Sequence, residues 1–549
     1  MPNKTGYDAI HMYLSDVSSH LVAKTGIPTD RYHLGKILLH CFQDDPDFIL
    51  QIDGAKDITE TAGSVLDRSV RCAIAFKKLG LEKGDVIILT GLNHIDLCIP
   101  YYAALYLGVV VAAIDPTFGV NELRDAFTIT KPKIIFCEGN KTDVIEKALK
   151  CAELEAKIAV FSEGNEFITL SKCIMNIDDN AVKEFRPSDF DPEETPALLT
   201  STSGTTGLPK AAILTHKNLF IGLSYMWLSL GSKFPTPTNI ILSVSPIQWL
   251  TATFVKLFNP ILKVTRLQSS AIMNPELFVH LVNKYKPAYI ITSPLTFQNA
   301  LASNDKCDFT CFKSILLGGL PVSPDLVDKL KELAQTERVY SVYGMSEISG
   351  PALQHNFPAV KGSCGQAAGH LEYRLVDPDT KEDVISKANT PGELWLRGPS
   401  VFKGYYNDPE MTAKTLTEDG WFMTGDILYR DDYWHFYFVD RIKSLLKYKS
   451  YQISPSEVEA VIKKHPGVLH VFVTGIPDEN CGDLVVACVI PKPGSKPSAQ
   501  EIKDIVKESL SDSKQLRGGV VFFKEFPITS NLKINKKKLQ DMVLTMDRE

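Results

Sequence analysis

Three observations in the 549-residue sequence predict an α/β fold. Short, wholly apolar runs recur along the first half, stretches of helix length separate them, and the composition is that of a globular chain, 44% hydrophobic and 23% charged. Apolar strands alternating with helices imply a largely parallel sheet covered on both faces. The length predicts three to four domains or subdomains, at roughly 150 residues each.

Ala62–Leu79 reads as a helix that leads through the turn Gly80–Gly84 into the apolar run Asp85-Val86-Ile87-Ile88-Leu89. From Leu97 to Ile114 there are 18 uncharged residues, the lower limit for a membrane span. Pro100 and Gly108 interrupt the run, and it ends in Asp115-Pro116 without a basic flank. It therefore reads as a buried helix (Tyr101 to Leu107) that turns at Gly108 into a buried strand (Val109 to Ile114). Lys133–Cys137 and Lys157–Phe161 are two more strands, with a helix at Thr142–Ala152 between them. Ala288–Ile291 and Ser314–Leu317 repeat the pattern, the latter ending in Gly318-Gly319. Ligands of such sheets collect at the carboxyl ends of the strands.

After about residue 365 short strands at Tyr373–Asp377, Gly392–Arg397 and Tyr433–Phe438 predict a small β subdomain, with Trp421 and Trp434 in its core. A lysine-rich turn, Asp440–Ser450, leads into an α+β pattern: helix Pro455–Lys464, strands Val468–Thr474 and Leu484–Ile490, and helix Ala499–Leu510. The expected organisation is a large N-terminal domain, 1–440, of α/β subdomains plus that β subdomain, followed by a smaller α+β domain, 441–549.

Lys+Arg is 59 against Asp+Glu 65, a formal charge of −6, and this acidic balance argues against a dedicated nucleic-acid binder. The 11 cysteines are scattered without C-x-x-C pairs, the closest being Cys307 and Cys311. That is a reduced, intracellular pattern rather than a disulfide framework or a zinc site. With no apolar signal segment at the N-terminus and no peroxisomal tripeptide at the end, LTMDRE, a cytoplasmic protein without integral membrane segments is expected. Oligomeric state is not legible.

The segment most telling for chemistry is Leu198-Leu199-Thr200-Ser201-Thr202-Ser203-Gly204-Thr205-Thr206-Gly207-Leu208-Pro209-Lys210. An apolar strand runs into hydroxyl residues, two glycines and a lysine. Glycine lets backbone N–H groups approach a polyanion closely, and lysine supplies charge. The Walker A spacing is absent, so the residues alone read as a phosphate loop of another kind.

The segment resembles the signature loop of the adenylate-forming superfamily: acyl-CoA synthetases, 4-coumarate–CoA ligases, beetle luciferases and peptide-synthetase adenylation domains. Tyr343-Gly344-Met345-Ser346-Glu347 and Trp421-Phe422-Met423-Thr424-Gly425-Asp426 are similar to two further family motifs. Asp440-Arg441-Ile442-Lys443 resembles its hinge, and Lys533 falls where the family keeps a lysine near the C-terminus. The order is kept from about residue 30 onward. Lys514–Phe522 and Ser444–Lys449 look most like insect luciferases and luciferase-like acyl-CoA synthetases.

The resemblance implies a role for each matching residue. Thr202, Ser203, Gly204, Thr205, Thr206, Gly207 and Lys210 would cradle the phosphates of ATP. Gly318, Gly319 and Leu320 would form the adenine-side loop, Tyr343 would lie against the purine, and Gly344 and Ser346 would complete that wall. Glu347 would hold Mg²⁺. Asp426, helped by Arg441, would take the ribose hydroxyls. Lys533 would reach the substrate carboxylate and the α-phosphate, Lys443 would be the pivot of the C-terminal domain, and Lys447 matches a luciferase lysine tied to oxidation. Trp249, Phe254, Ser349 and Gly350 would line the acid pocket, in a cleft between the domains.

Four positions depart from the pattern. Ala211 replaces a glycine after the signature lysine, and Ser450 replaces the glycine of the loop that completes thioester formation. The Pro527–Lys533 stretch lacks its usual P-K and G-K, and Trp249 stands where a histidine is common. Three activities fit the resemblance. The first is a ligase that makes acyl-AMP from a small carboxylic acid and ATP, then transfers the acyl group to coenzyme A. The second is a luciferase that oxidises the same adenylate with O₂. The third is a degenerate member that only binds nucleotide or acid.

Overall fold

The computed structural model describes residues 33–161, 167–202, 210–230, 240–303, 306–356, 358–448, 451–478, 482–528 and 534–549. The chain divides into two compact units. One comprises the chain up to Glu372 with Leu396–Phe422 and Trp434–Phe436; the other comprises Tyr373–Trp395, Met423–Tyr433 and Tyr437–Glu549.

The first unit carries two seven-stranded sheets. One runs in spatial order Ile168–Thr169, Lys157–Val160, Ile134–Cys137, Val86–Leu89, Val110–Ala113, Pro196–Thr202 and Lys210–Thr215. All neighbours are parallel except the last pair, a hairpin in which Thr202 faces Lys210. The other runs Val339–Val342, Ser314–Gly318, Tyr289–Thr292, Ile240–Leu242, Thr265–Gln268, Ile49–Asp53 and Ile58–Thr61, again parallel up to its final antiparallel strand. Val86–Leu89, Ile134–Cys137 and Tyr289–Thr292 are buried at every residue, as strands covered on both faces must be.

Local chemistry sets the element ends. Helix Ala62–Lys78 starts where the Thr61 side chain accepts from the Ser64 N–H, and it has Lys77 and Lys78 in its last turn. The apolar stretch 97–114 is helix Cys98–Leu107 and strand Val110–Ala113, joined at Gly108 with φ 71°. A Cβ at Gly108 would lie 2.9 Å from the Phe190 ring, so this left-handed turn is reserved for glycine. No helix among the described residues is long and apolar enough to cross a membrane.

In the second unit, helices Pro455–Ile462 and Ala499–Ser509 cover one face of a sheet, packing Val458, Ile462, Ile502 and Val506 against Val473, Val485, Ala487 and Val489. Helix Lys536–Thr545 covers the other face, its Leu539 and Val543 meeting Val486, Cys488 and Val521. Strand Gly482–Pro491 alternates between these two cores with the period of two that its pleat dictates. The lysine cluster 536–538 thus opens a helix. Elsewhere in the chain, four strands, Glu372–Val376, Gly392–Arg397, Phe422–Arg430 and Phe436–Arg441, make one sheet in chain order.

One core expectation is corrected. Trp421 is buried, but Trp434 is 48% exposed with φ 65°. The Asp431 carboxylate accepts the Tyr433 N–H at 2.9 Å, which bends 431–434 into a turn, and the strand begins only at Phe436. The ten cysteines among the described residues are all free.

Candidate functional site

The site of the first unit begins at two adjacent strand ends. Ser314–Gly318 and Val339–Val342 are parallel, with Gly318 opposite Val342. Their carboxyl ends therefore set Gly318, Gly319 and Leu320 beside Tyr343 and Gly344. Gly319 has φ 80°, and a Cβ on Gly318 would be 3.1 Å from the Val342 carbonyl oxygen. Tyr343 is half-buried rather than sealed in the core.

Beyond Tyr343 the chain folds back on itself. Gly344 and Met345 pair antiparallel with Pro351 and Gly350 around the turn Ser346–Ile348. The return is so close that a Cβ on Gly344 would lie 2.4 Å from the Gly350 carbonyl oxygen. Ser349 adopts φ 55° and is fully buried, and Gly350 adopts φ 137°. The Phe254 ring reaches the same place, 3.5 Å from a notional Cβ on Gly350. Phe254, Ser349 and Gly350 are thus brought together. Trp249 caps the start of the Phe254 helix, Leu250–Leu262, and is half-buried.

Glu347 occupies the turn itself. Its Oε1 accepts a 3.0 Å hydrogen bond from the Tyr405 hydroxyl, and its backbone carbonyl accepts the Phe402 N–H at 2.8 Å. Strand Lys210–Thr215 lies against this turn, and Lys210 Nζ stands 5.2 Å from the centre of the Tyr405 ring. Burial, then the adjacent Glu347 carboxylate, push the Tyr405 phenol up from its ordinary value, so it remains a donor. Sequence reasoning did not find Tyr405. It lies 58 positions from Glu347, and nothing in Lys403-Gly404-Tyr405-Tyr406 marks it.

Asp426 and Arg441 belong to the second unit and meet there. Arg441 Nε is 3.0 Å from Asp426 Oδ1, with Asp426 only 2% exposed in residue terms and Arg441 open to solvent. Glu393 Oε1 accepts the Gly425 N–H at 3.0 Å and Thr424 donates to the Leu394 carbonyl at 2.7 Å, so strand Gly392–Arg397 fixes the Thr424–Asp426 bend. The buried, positively partnered carboxylate suits paired hydroxyl donors. Lys447 sits at backbone level in hairpin Leu446–Tyr448/Tyr451–Ile453, and Lys443 in the turn Ile442–Ser444. Their side chains, that of Thr202, and Ser203, Gly204, Thr205, Thr206, Gly207, Ser450 and Lys533 lie outside the described residues.

A hard carboxylate, Glu347, beside the strand that starts at Lys210 fits Mg²⁺, which takes one or two carboxylates and completes its shell with phosphate oxygens and water. No cluster of three or more metal-ligating side chains occurs among the described residues.

The chain is similar to known proteins. Residues 40–406 match the AMP-binding enzyme family, and 457–533 match the AMP-binding enzyme C-terminal domain. The chain is 34% identical over 491 residues to a luciferin 4-monooxygenase of Photuris pensylvanica, spanning 87% of this chain and 88% of that one. It is 29% identical to 4-coumarate-CoA ligase 1 of Narcissus pseudonarcissus, spanning 91% of each. Among solved structures, the luciferase-like enzyme from the nonluminescent Zophobas morio mealworm superposes with a TM-score of 0.69 at 31% identity, over 75% of this chain and 96% of that one.

Proposed function

Because the chain belongs to the AMP-binding enzyme family, we propose that it activates a small carboxylic acid with ATP to acyl-AMP and passes the acyl group to coenzyme A. The observation that carries the reading is the convergence in one unit of the Gly318–Leu320 and Tyr343–Gly344 strand ends, Glu347, and the strand bearing Lys210. Gly319, whose Cβ position has nothing within 4 Å, would leave room for a flat base against Tyr343. Lys210 and the loop before it would take the phosphates, Asp426 with Arg441 the ribose, and Phe254, Ser349, Gly350 and Trp249 the acid.

The chemistry explains why these groups are cations and donors rather than acids and bases. A carboxylate attacking an α-phosphate brings two anions together while pyrophosphate departs, so the barrier is mainly electrostatic. Magnesium, when bound, supplies neutralising charge at the phosphates. In this reading Lys533 stabilises the attacking end, Lys210 the departing end, and Glu347 presents its carboxylate for the metal. The smaller domain, 441–549, would then turn about Lys443 to exchange the adenylation arrangement for the thioester-forming one.

The test is pyrophosphate release from the purified chain over a panel of aromatic, medium-chain and long-chain acids, with and without coenzyme A. Acid-dependent pyrophosphate followed by thioester in the presence of coenzyme A is the expected result. Nucleotide and acid binding without pyrophosphate would replace the proposal with the degenerate reading. The likeness to a luciferin 4-monooxygenase favours a second reading, in which O₂ consumes the adenylate. Photon emission with a luciferin, independent of coenzyme A, would select it.

A further inference from the structure

We propose that Tyr405 is a positioning residue for the metal and phosphate end of the site, holding the Glu347 carboxylate with its hydroxyl and the Lys210 ammonium with its ring. The inference rests on the adenylation reading above and names a residue which that reading does not use.

Tyr405 is almost fully buried, and its backbone is fixed on three sides. Ile213 N–H donates to the Gly404 carbonyl at 2.9 Å and Tyr406 N–H to the Ala211 carbonyl at 2.8 Å, so the segment lies along the strand that starts at Lys210. The Tyr405 N–H donates to Thr412 Oγ1 at 2.8 Å. Gly404 holds φ 129°, and a Cβ there would strike the Thr412 side chain at 2.6 Å. From this fixed base the hydroxyl reaches Glu347 at 3.0 Å and the ring face lies 5.2 Å from Lys210 Nζ, within the roughly 6 Å over which a cation is drawn to an aromatic face.

The consequence is a fixed aim for both groups. The rigid Tyr405 side chain offers an aromatic face to the ammonium and a hydroxyl donor to the carboxylate. Both are then aimed before ligand arrives, which lowers the reorganisation that binding requires.

Two variants separate the two contacts. Tyr405→Phe removes only the hydroxyl; Tyr405→Leu removes hydroxyl and aromatic face. Binding of α,β-methylene-ATP, whose α–β bridge cannot be cleaved, is measured by calorimetry in Mg²⁺ and again in EDTA, with thermal melts as the check on folding. For Tyr405→Phe the Kd in Mg²⁺ should rise on the order of 10-fold or more, the range seen when the partner of a metal-ligating group is lost, while the Kd in EDTA stays that of the wild type. For Tyr405→Leu the EDTA value should rise as well. Phe-variant binding equal to wild type in Mg²⁺, or weakened equally with and without metal, overturns the positioning role while wild-type binding leaves the adenylation reading standing. A wild-type protein that binds no analogue overturns both.

Discussion

Lys256 is wholly buried in helix Leu250–Leu262, and its ammonium position finds no hydrogen-bond partner among the described residues. Arg266, buried beside it, keeps its charge by donating to Gln268 Oε1 at 2.8 Å and to Gln51, which in turn donates to Glu60 at 2.6 Å. Burial first, and Arg266 second, bring the Lys256 amine down from 10.5 to about 7. The unfolded chain holds that proton up to about 10.5 and the folded chain sheds it above about 7. Unfolding therefore takes up a proton between those values, so stability is lowest below the window and rises with pH through it, by up to about 1.4 kcal/mol per pH unit. Lys256→Met, close in volume and apolar, should flatten that rise and stabilise the protein at pH 6 by on the order of 1–3 kcal/mol, read by urea unfolding across pH. An unchanged pH slope would show that the amine is solvated. At the other extreme of legibility is Lys533, assigned only by its place in the sequence. Lys533→Ala should lower kcat for acyl-adenylate formation by about 10²–10³-fold with little change in ATP affinity. Near-normal adenylation would remove it from the site.

The turn Gly344–Pro351 is the element on which the site depends most. Its two arms approach so closely that alanine at 344 must displace the Gly350 carbonyl, a change costing on the order of 1–3 kcal/mol. Gly344→Ala should therefore weaken both ATP and acid binding, since Tyr343 and Gly350 lie on opposite arms of one turn. Weakened ATP binding with an unaltered KM for the acid would show that the arms move independently. Val86–Leu89 and Ile134–Cys137 were legible because they are apolar at every position, whereas Thr265–Gln268, equally buried but bearing Arg266 and Gln268, was not; Thr142–Ala152 and Gly392–Arg397 begin and end where their patterns do. The hairpin of Pro196–Thr202 with Lys210–Thr215 was read only as a strand entering a loop, because the partner strand, Lys-Ala-Ala-Ile-Leu-Thr, has no strict alternation. Trp434 was misplaced for a local reason: an aspartate capturing a backbone N–H two residues on outweighs the strand preference of aromatic residues.

At the scale of the whole chain the prediction concerns domain rotation. Lys443→Pro would stiffen the turn Ile442–Ser444 and should depress one half-reaction, pyrophosphate release or thioester formation, much more than the other. Equal loss of both would argue against a pivot there. The fold class could be named from apolar runs and a phosphate-type loop from glycines next to hydroxyls, whereas Glu347 and Asp426, proposed for metal and ribose, were named only through the resemblance of their motifs to a family. Contacts between distant segments left no such trace. That Tyr405 meets Glu347 and Lys210, that Glu393 pins the bend before Asp426, and that Arg266 rather than Lys256 keeps its charge all depend on which strands lie side by side. Periodicity and turn chemistry act over a few residues, whereas burial and pairing are settled only when the sheets assemble.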